Sequence, residues 1–215
     1  IKGLPFREQV SEVRKLANQY AAKGKRTDAM AIAQYGYKIS LSSGDIDLQG
    51  SALMSLGNIH HLLEDPGLAL TFYKRAFSLR QREGNPSKIR IAINRVVKTC
   101  VELQRYDEAI PFYEEAIKLA EAENDSIAVA EANIKIVYMY EKLRYHEDAY
   151  HRFFAAIDIS KRAKDSSLLV TALTGVAKVY WDSDNYVRAI ETYEHAEKIL
   201  RDVQDQFQLG ELYQD

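Results

Sequence analysis

Side chains able to do chemistry are few in this sequence and poorly spaced for it. Of the five histidines (His60, His61, His146, His151 and His195), His146 and His151 lie five residues apart, whereas two imidazoles need i, i+4 spacing to share a metal on one helix face. The lone cysteine, Cys100, excludes an internal disulfide framework and a cysteine-based zinc site. No phosphate-cradling G-x-x-x-x-G-K-[ST], nucleophile-elbow G-x-S-x-G or zinc-binding H-E-x-x-H occurs. No catalytic residue, metal ligand or cofactor site is therefore assigned, and the chain reads as non-enzymatic. What recurs instead are amides, cations and aromatic rings, the groups that recognise other molecules. Asn18, Asn58, Lys98, Tyr138 and Lys178 stand 40 residues apart. So do Arg14, Met54, Asn94, Ile134 and Thr174, then Lys15, Ser55, Arg95, Lys135 and Gly175, and finally Ala21, His61, Val101, Glu141 and Trp181. Core positions would be apolar, and these mostly are not.

The elements that carry them follow from the same period. An alanine recurs at Ala29, Ala69, Ala109, Ala149 and Ala189. Four residues on stand Ala33, Tyr73, Tyr113, Phe153 and Tyr193. After three more come Gly36, Ala76, Ala116, Ala156 and Ala196, and after another three Ile39, Leu79, Leu119, Ile159 and Ile199. Steps of 4, 3 and 3 put these residues on one stripe of a helix. Twelve to thirteen residues before each alanine lies a second pattern: Leu16-Ala17, Leu56-Gly57, Val96-Val97, Ile136-Val137 and Val176-Ala177. Tyr20, His60, Cys100, Tyr140 and Tyr180 follow three residues later, so His60 and Cys100 are expected in the core. Each 40-residue unit is thus two helices, and self-similarity at a fixed period marks a repeat protein. Such a stack is one continuous body whatever its length.

Punctuation keeps the same period. Polar turns separate the two helices of a unit: Lys23-Gly24-Lys25, Glu64-Asp65-Pro66-Gly67, Gln104-Arg105, Leu143-Arg144 and Asp182-Ser183-Asp184-Asn185. Between units stand Gly44-Asp45, Gly84-Asn85, Asn124-Asp125, Lys164-Asp165 and Gln204-Asp205. Gly or Asn supplies a left-handed residue to stop one helix, and the Asp or Asn that follows caps the next. Pro66 and Pro111 are each expected in the first turn of a second helix, where a missing N–H is harmless. Residues 1–9 read as a lead-in. Residues 10–205 read as five units, approximately 10–45, 46–85, 86–125, 126–165 and 166–205, and residues 206–215 as the start of a further repeat or a capping helix.

At 47% hydrophobic residues the chain has enough apolar side chains for a core. Its net charge of −2 gives no bulk attraction to nucleic acid or anionic membrane. A basic run (Arg75, Arg80, Arg82, Lys88, Arg90, Arg95 and Lys98) lies near the junction of the second and third units. The recognition registers change character from unit to unit, and base-by-base RNA reading needs a fixed code, which weighs against nucleic acid. No apolar run approaches membrane-spanning length, and no signal-peptide pattern opens the chain. With one cysteine, this points to an intracellular, cytoplasmic setting. The sequence opens on Ile1 and closes on F-Q-L-G-E-L-Y-Q-D, which reads as part of a longer protein.

Helix pairs with aliphatic, small and aromatic anchors in the first helix and Ala, aromatic, Ala in the second resemble the tetratricopeptide repeat. Y-D-E-A-I-P-F-Y-E-E-A and Y-V-R-A-I-E-T-Y-E-H-A stand close to its motif, which reads most fully in the third to fifth units, and the resemblance covers residues 10–205. Two features depart from it. The period is 40 rather than about 34, and a Gly/Asn-Asp turn replaces the usual closing proline. Long-repeat relatives of this kind include kinesin light chains, ciliary repeat proteins, spindle-orientation scaffolds and bacterial peptide-sensing regulators. The resemblance implies an all-α, right-handed superhelical solenoid of about five antiparallel helix pairs, with the first helices lining a concave groove for a partner's peptide segment.

On that reading the groove residues are Arg14, Asn18, Asn58, Asn94, Arg95, Lys98, Lys135, Tyr138, Lys178 and Trp181. A solvated helix face is the plain alternative for any one of them. The sharper reading is an acidic or amide-bearing peptide gripped by Arg14, Asn18, Asn58, Arg95 and Lys98. Chaperone-binding members hold a C-terminal carboxylate with such residues, but Asn94 stands where they have lysine. Trp181 fits an interface hot spot flanked by Tyr138 and Lys178, and equally a packing contact with the next repeat. Glu114, Glu115, Glu121 and Glu123 are expected on solvated outer faces. The open end at Val203–Tyr213 is expected to be covered by a neighbouring segment or a second copy, the latter giving a homo-oligomer and an alternative function as a self-assembling component.

Overall fold

The computed structural model describes residues 3–202 and Leu212. Among them run ten α-helices: α1 (Phe6–Ala22), α2 (Arg26–Ser43), α3 (Ile46–Leu62), α4 (Pro66–Glu83), α5 (Pro86–Glu102), α6 (Tyr106–Ala122), α7 (Ser126–Leu143), α8 (His146–Ala163), α9 (Ser166–Asp182) and α10 (Tyr186–Asp202). The fold is all-α, and odd- and even-numbered helices are the first and second members of the repeating pairs. Each is 17 or 18 residues long, so each spans about 26 Å at 1.5 Å per residue. Helix α1 begins at Phe6, behind Pro5, inside the stretch expected to be a lead-in. Apart from Leu212, residues 203–215 lie outside the described residues. So, therefore, do the Gln204-Asp205 turn, the further repeat or capping helix expected over 206–215, and the covered end expected at Val203–Tyr213.

Two compact units divide the chain, Ile1–Arg105 with α1–α5 and Tyr106–Asp215 with α6–α10. The boundary between them, at Arg105 and Tyr106, falls in the turn between the two helices of the third pair. In the first unit α1 packs on α2, α2 on α3, α3 on α4 and α4 on α5, with α1 also meeting α3. The second unit repeats the scheme from α6 to α10, and α7 also meets α9.

The periodic alanines explain how the helices approach. Ala29, Ala69, Ala109, Ala149 and Ala189 are all 0% exposed, because a methyl group lets neighbouring backbones close up. The aliphatic register is less enclosed than its spacing suggests. Leu79, Leu119, Ile159 and Ile199 are half-buried, while the next residue (Ser40, Arg80, Ala120, Ser160 or Leu200) is buried each time. Leu212 joins Leu200 and Ala196 in the core of the second unit. His60 is half-buried against Phe72, ring centroids 5.1 Å apart, and Cys100 is fully buried.

Turns keep a 20-residue beat. Left-handed residues fall at Gly24, Gly44, Glu64, Gly84, Gln104, Asn124, Arg144, Lys164 and Asp184. The chain then folds back through 6→1 bonds, such as Asp65 N to His60 O (3.0 Å), Arg105 N to Cys100 O (2.8 Å) and Asn185 N to Tyr180 O (2.9 Å). Asp45, Asn85, Asp125 and Asp165 cap α3, α5, α7 and α9 with their side chains, as their register requires. Pro66 and Pro86 open α4 and α5. Pro111 does not sit in a first turn. It lies inside α6, five residues after Tyr106, where it withholds the amide that would bond the Asp107 carbonyl.

Candidate functional site

In the first unit, three of the expected groove residues meet. Asn18 on α1, Asn58 on α3 and Arg95 on α5 line one open depression of about 270 Å³, together with His61, Leu62 and Tyr73. They come from three successive first helices, as repeat geometry requires. The buried Tyr73 ring reaches the depression by passing α3 at Gly57, where a Cβ would stand 2.4 Å from the ring. Its hydroxyl donates to Asn58 Oδ1 at 2.8 Å, so the Asn58 amide N–H groups remain as donors. Burial pushes the Tyr73 phenol above its ordinary pKa, which keeps it a neutral donor. On the rim, His61 Nε2 lies 2.7 Å from Glu102 Oε2. Arg95 makes no side-chain ion pair among the described residues. The lining therefore offers a guanidinium and amide donors, the complement of a carboxylate. Arg14, Asn94 and Lys98 are exposed on α1 and α5, outside this lining.

The second unit holds the remaining candidates but does not gather them. Lys135 borders a depression of about 380 Å³ between α7 and α9, whose apolar lining is Ile127, Ile134 and Leu168. Tyr138 meets Tyr106 edge-on at 6.3 Å and takes the Lys142 ammonium 5.1 Å from its ring centre. Trp181 is 53% exposed and packs edge-on against Tyr186 at 5.0 Å. The ring beside it is thus Tyr186, four residues after the α9 C-terminus, rather than the Tyr138 expected from the register. Lys178 is exposed and lies in the electrostatic reach of Glu141. Burial, with Asp182 adding to it, pushes the Glu141 carboxyl up to about 7, against the pull of Lys178 and Lys142.

Two residues of the recognition registers are structural. Ser55 is buried with its hydroxyl unpaired. Gly175 makes room for Phe153, whose ring a Cβ would meet at 2.3 Å. This register lies at the edge of the first helix, where it turns toward a neighbour as often as toward solvent. Glu114, expected to be solvated, accepts Arg152 Nη2 at 2.6 Å across α6 and α8. Among the described residues no group of three or more His, Cys, Asp or Glu could hold a metal ion, and no helix is long and apolar enough to cross a membrane.

Periodicity also misses an ionic cluster in the first unit. Asp47 accepts from Arg7 Nη1 at 2.9 Å, Arg80 Nη1 at 2.6 Å and Lys88 Nζ at 2.6 Å. Glu83 accepts from Arg80 at 2.6 Å and also from Lys88. Arg80 Nη2 donates to Ser51 Oγ at 2.7 Å. Burial alone would raise the Asp47 carboxyl, but bonds from Lys88, Arg80 and Arg7 outweigh it and hold the group well below the usual range. The available signal was Arg80 itself, a charge in a register otherwise held by Ser40, Ala120, Ser160 and Leu200. Arg80 and Lys88, counted above in a basic run, are therefore already neutralised.

The sequence model of the tetratricopeptide repeat matches residues 48–122. That is the second and third helix pairs, not the third to fifth in which the motif reads most fully. Among solved structures, the apo form of RapI is similar with a TM-score of 0.69 at 13% identity, over 93% of this chain and 55% of that one. This chain thus spans little more than half of its length. A putative kinesin light chain from Podosopora anserina with nearly identical tetratricopeptide-like repeats gives a TM-score of 0.68 at 11% identity, over 95% of this chain and 100% of that one. BtubC (BKLC) from P. vanneervenii gives 0.62 at 16% identity, over 93% and 90%. No curated protein sequence matches the chain. With helix pairs recurring every 40 residues, the chain has a tetratricopeptide-like repeat fold, and its second and third helix pairs match the sequence model of that repeat.

Proposed function

We propose that this chain is a non-enzymatic interaction scaffold, working inside the cell in the cytoplasm, that holds an acidic peptide segment of a partner protein. One observation carries the reading: Asn18, Asn58 and Arg95, from three successive first helices, converge on one open depression in the first unit. Arg14 and Lys98 stand exposed on α1 and α5, the helices that carry Asn18 and Arg95. The test is fluorescence anisotropy with labelled hexaglutamate and hexalysine peptides. The scaffold binds hexaglutamate, and Arg95→Glu weakens it about tenfold or more, the scale of one charge-assisted hydrogen bond. Equal affinity of wild type and Arg95→Glu, or preference for hexalysine, sinks the reading.

Self-assembly is the second reading, and α10 favours it. Val187 is 70% exposed and Ile190 52% exposed on that helix. Ile190 occupies the register of Leu70, which is 2% exposed in the first unit. Sedimentation velocity over a hundredfold concentration range tests this reading. A mass that rises with concentration and falls back in Ile190→Glu supports it, and a constant monomer mass removes it.

A further inference from the structure

We propose that Asp47 is a positioning residue for the depression, the hub that holds α1, α3 and α5 at the spacing where Asn18, Asn58 and Arg95 meet. The inference rests on the depression being the binding site, but its test does not depend on a ligand.

Each of the three first helices contributes one member to both places. Arg7, Asp47 and Lys88 lie in the first turns of α1, α3 and α5. Asn18 and Asn58 follow Arg7 and Asp47 by 11 residues, and Arg95 follows Lys88 by seven. Eleven residues are about three helical turns and seven are about two. On every helix the ionic residue and the site residue therefore share a face. The separation along the axis is about 16 Å on α1 and α3 and about 10 Å on α5. Fixing the first turns to one another thus fixes the lateral spacing of the donors further along.

Asp47 bonds to cations from both flanking first helices. Its Oδ2 takes Arg7 of α1, and its Oδ1 takes Lys88 of α5 and Arg80 of α4. Asp45, the α3 cap, adds a second contact to Arg7 at 3.3 Å, and Glu83 completes the ring with Arg80 and Lys88. The Arg80 side chain is only 7% exposed and that of Asp47 18% exposed. A buried ion pair gains little stability over an apolar replacement, and the same register holds Ala120 and Leu200 elsewhere in the chain. What an ionic hub adds is direction, because each bond joins a different helix.

The experiment measures spin-label distances by electron paramagnetic resonance in a Cys100→Ala background. Labels at Lys15→Cys and Asn94→Cys, both exposed positions, report α1 to α5. Labels at Leu62→Cys and Asn94→Cys report α3 to α5. Circular dichroism checks the fold of each variant. In Asp47→Asn both distance distributions broaden. In Arg7→Gln only the α1–α5 distribution broadens, and Arg7→Lys restores it, a pattern that general loss of stability would not give. Hexaglutamate affinity falls about tenfold in Asp47→Asn if the binding-competent fraction falls to a tenth. Should Asp47→Asn fail to fold, Arg7→Gln decides, since that side chain is 66% exposed. Unchanged distributions in the folded variants overturn the proposal. If wild type does not bind hexaglutamate, the acidic-peptide reading falls and the distances alone decide the role of Asp47.

Discussion

Gly50 and Arg80 are a fitted pair: a Cβ on Gly50 would stand 2.9 Å from the Arg80 guanidinium carbon and 3.0 Å from its Nε. The guanidinium cannot swing away freely, because Asp47, Glu83 and Ser51 hold it. Gly50→Ala therefore destabilises the chain by about 1–3 kcal/mol, the usual cost of overpacking. Arg80→Ser relieves the crowding and recreates the Ala130 and Ser160 combination of the fourth repeat. In urea titrations Gly50→Ala/Arg80→Ser should lose less than the sum of the two single changes. Strict additivity would show that the two side chains do not share the space.

Tyr73→Phe leaves the buried ring in place and removes its bond to Asn58. Stability falls by about 1 kcal/mol, the net worth of one such bond. Hexaglutamate binding weakens as well, since the Asn58 amide loses the partner that orients it. A change in thermal midpoint with unaltered binding would mean that Asn58 does not depend on Tyr73 for its aim.

Glu141 makes stability fall as the medium becomes more alkaline. Its folded-state carboxyl is raised from 4.5 to about 7, so between those values the folded chain binds more proton than the unfolded chain. The contribution is fully present below about 4.5 and is lost as pH rises through about 7. Glu141→Gln should raise the thermal midpoint at pH 8 and change it little at pH 5. Parallel midpoint curves for the two proteins across this range would show that Glu141 is not shifted.

The 40-residue recurrence carried most of the fold. It placed the five buried alanines, the capped starts of α3, α5, α7 and α9 and the left-handed residues at Gly44, Gly84 and Asn124, because helix faces and helix ends are local properties of a sequence. It carried less of the site. Asn18, Asn58 and Arg95 do meet, but Ser55 and Gly175 share the recognition registers and serve packing instead. A period tells which face a residue occupies, not whether a neighbouring ring such as Phe153 lies against that face. The ionic hub escaped for the same reason. Arg80 breaks the pattern of its own register, and its partners come from helices whose approach only the folded chain defines.

The turns have a consequence for how this chain can change. Glu64, Gln104, Arg144, Lys164 and Asp184 adopt positive φ, a conformation that costs an ordinary L-residue roughly 1–2 kcal/mol and glycine almost nothing. Gly24, Gly44 and Gly84 already use glycine there. The connectors therefore hold unspent thermal headroom, reachable one residue at a time without altering any lining of the depression. A lineage or an engineer seeking heat tolerance has a path that leaves the depression as it is.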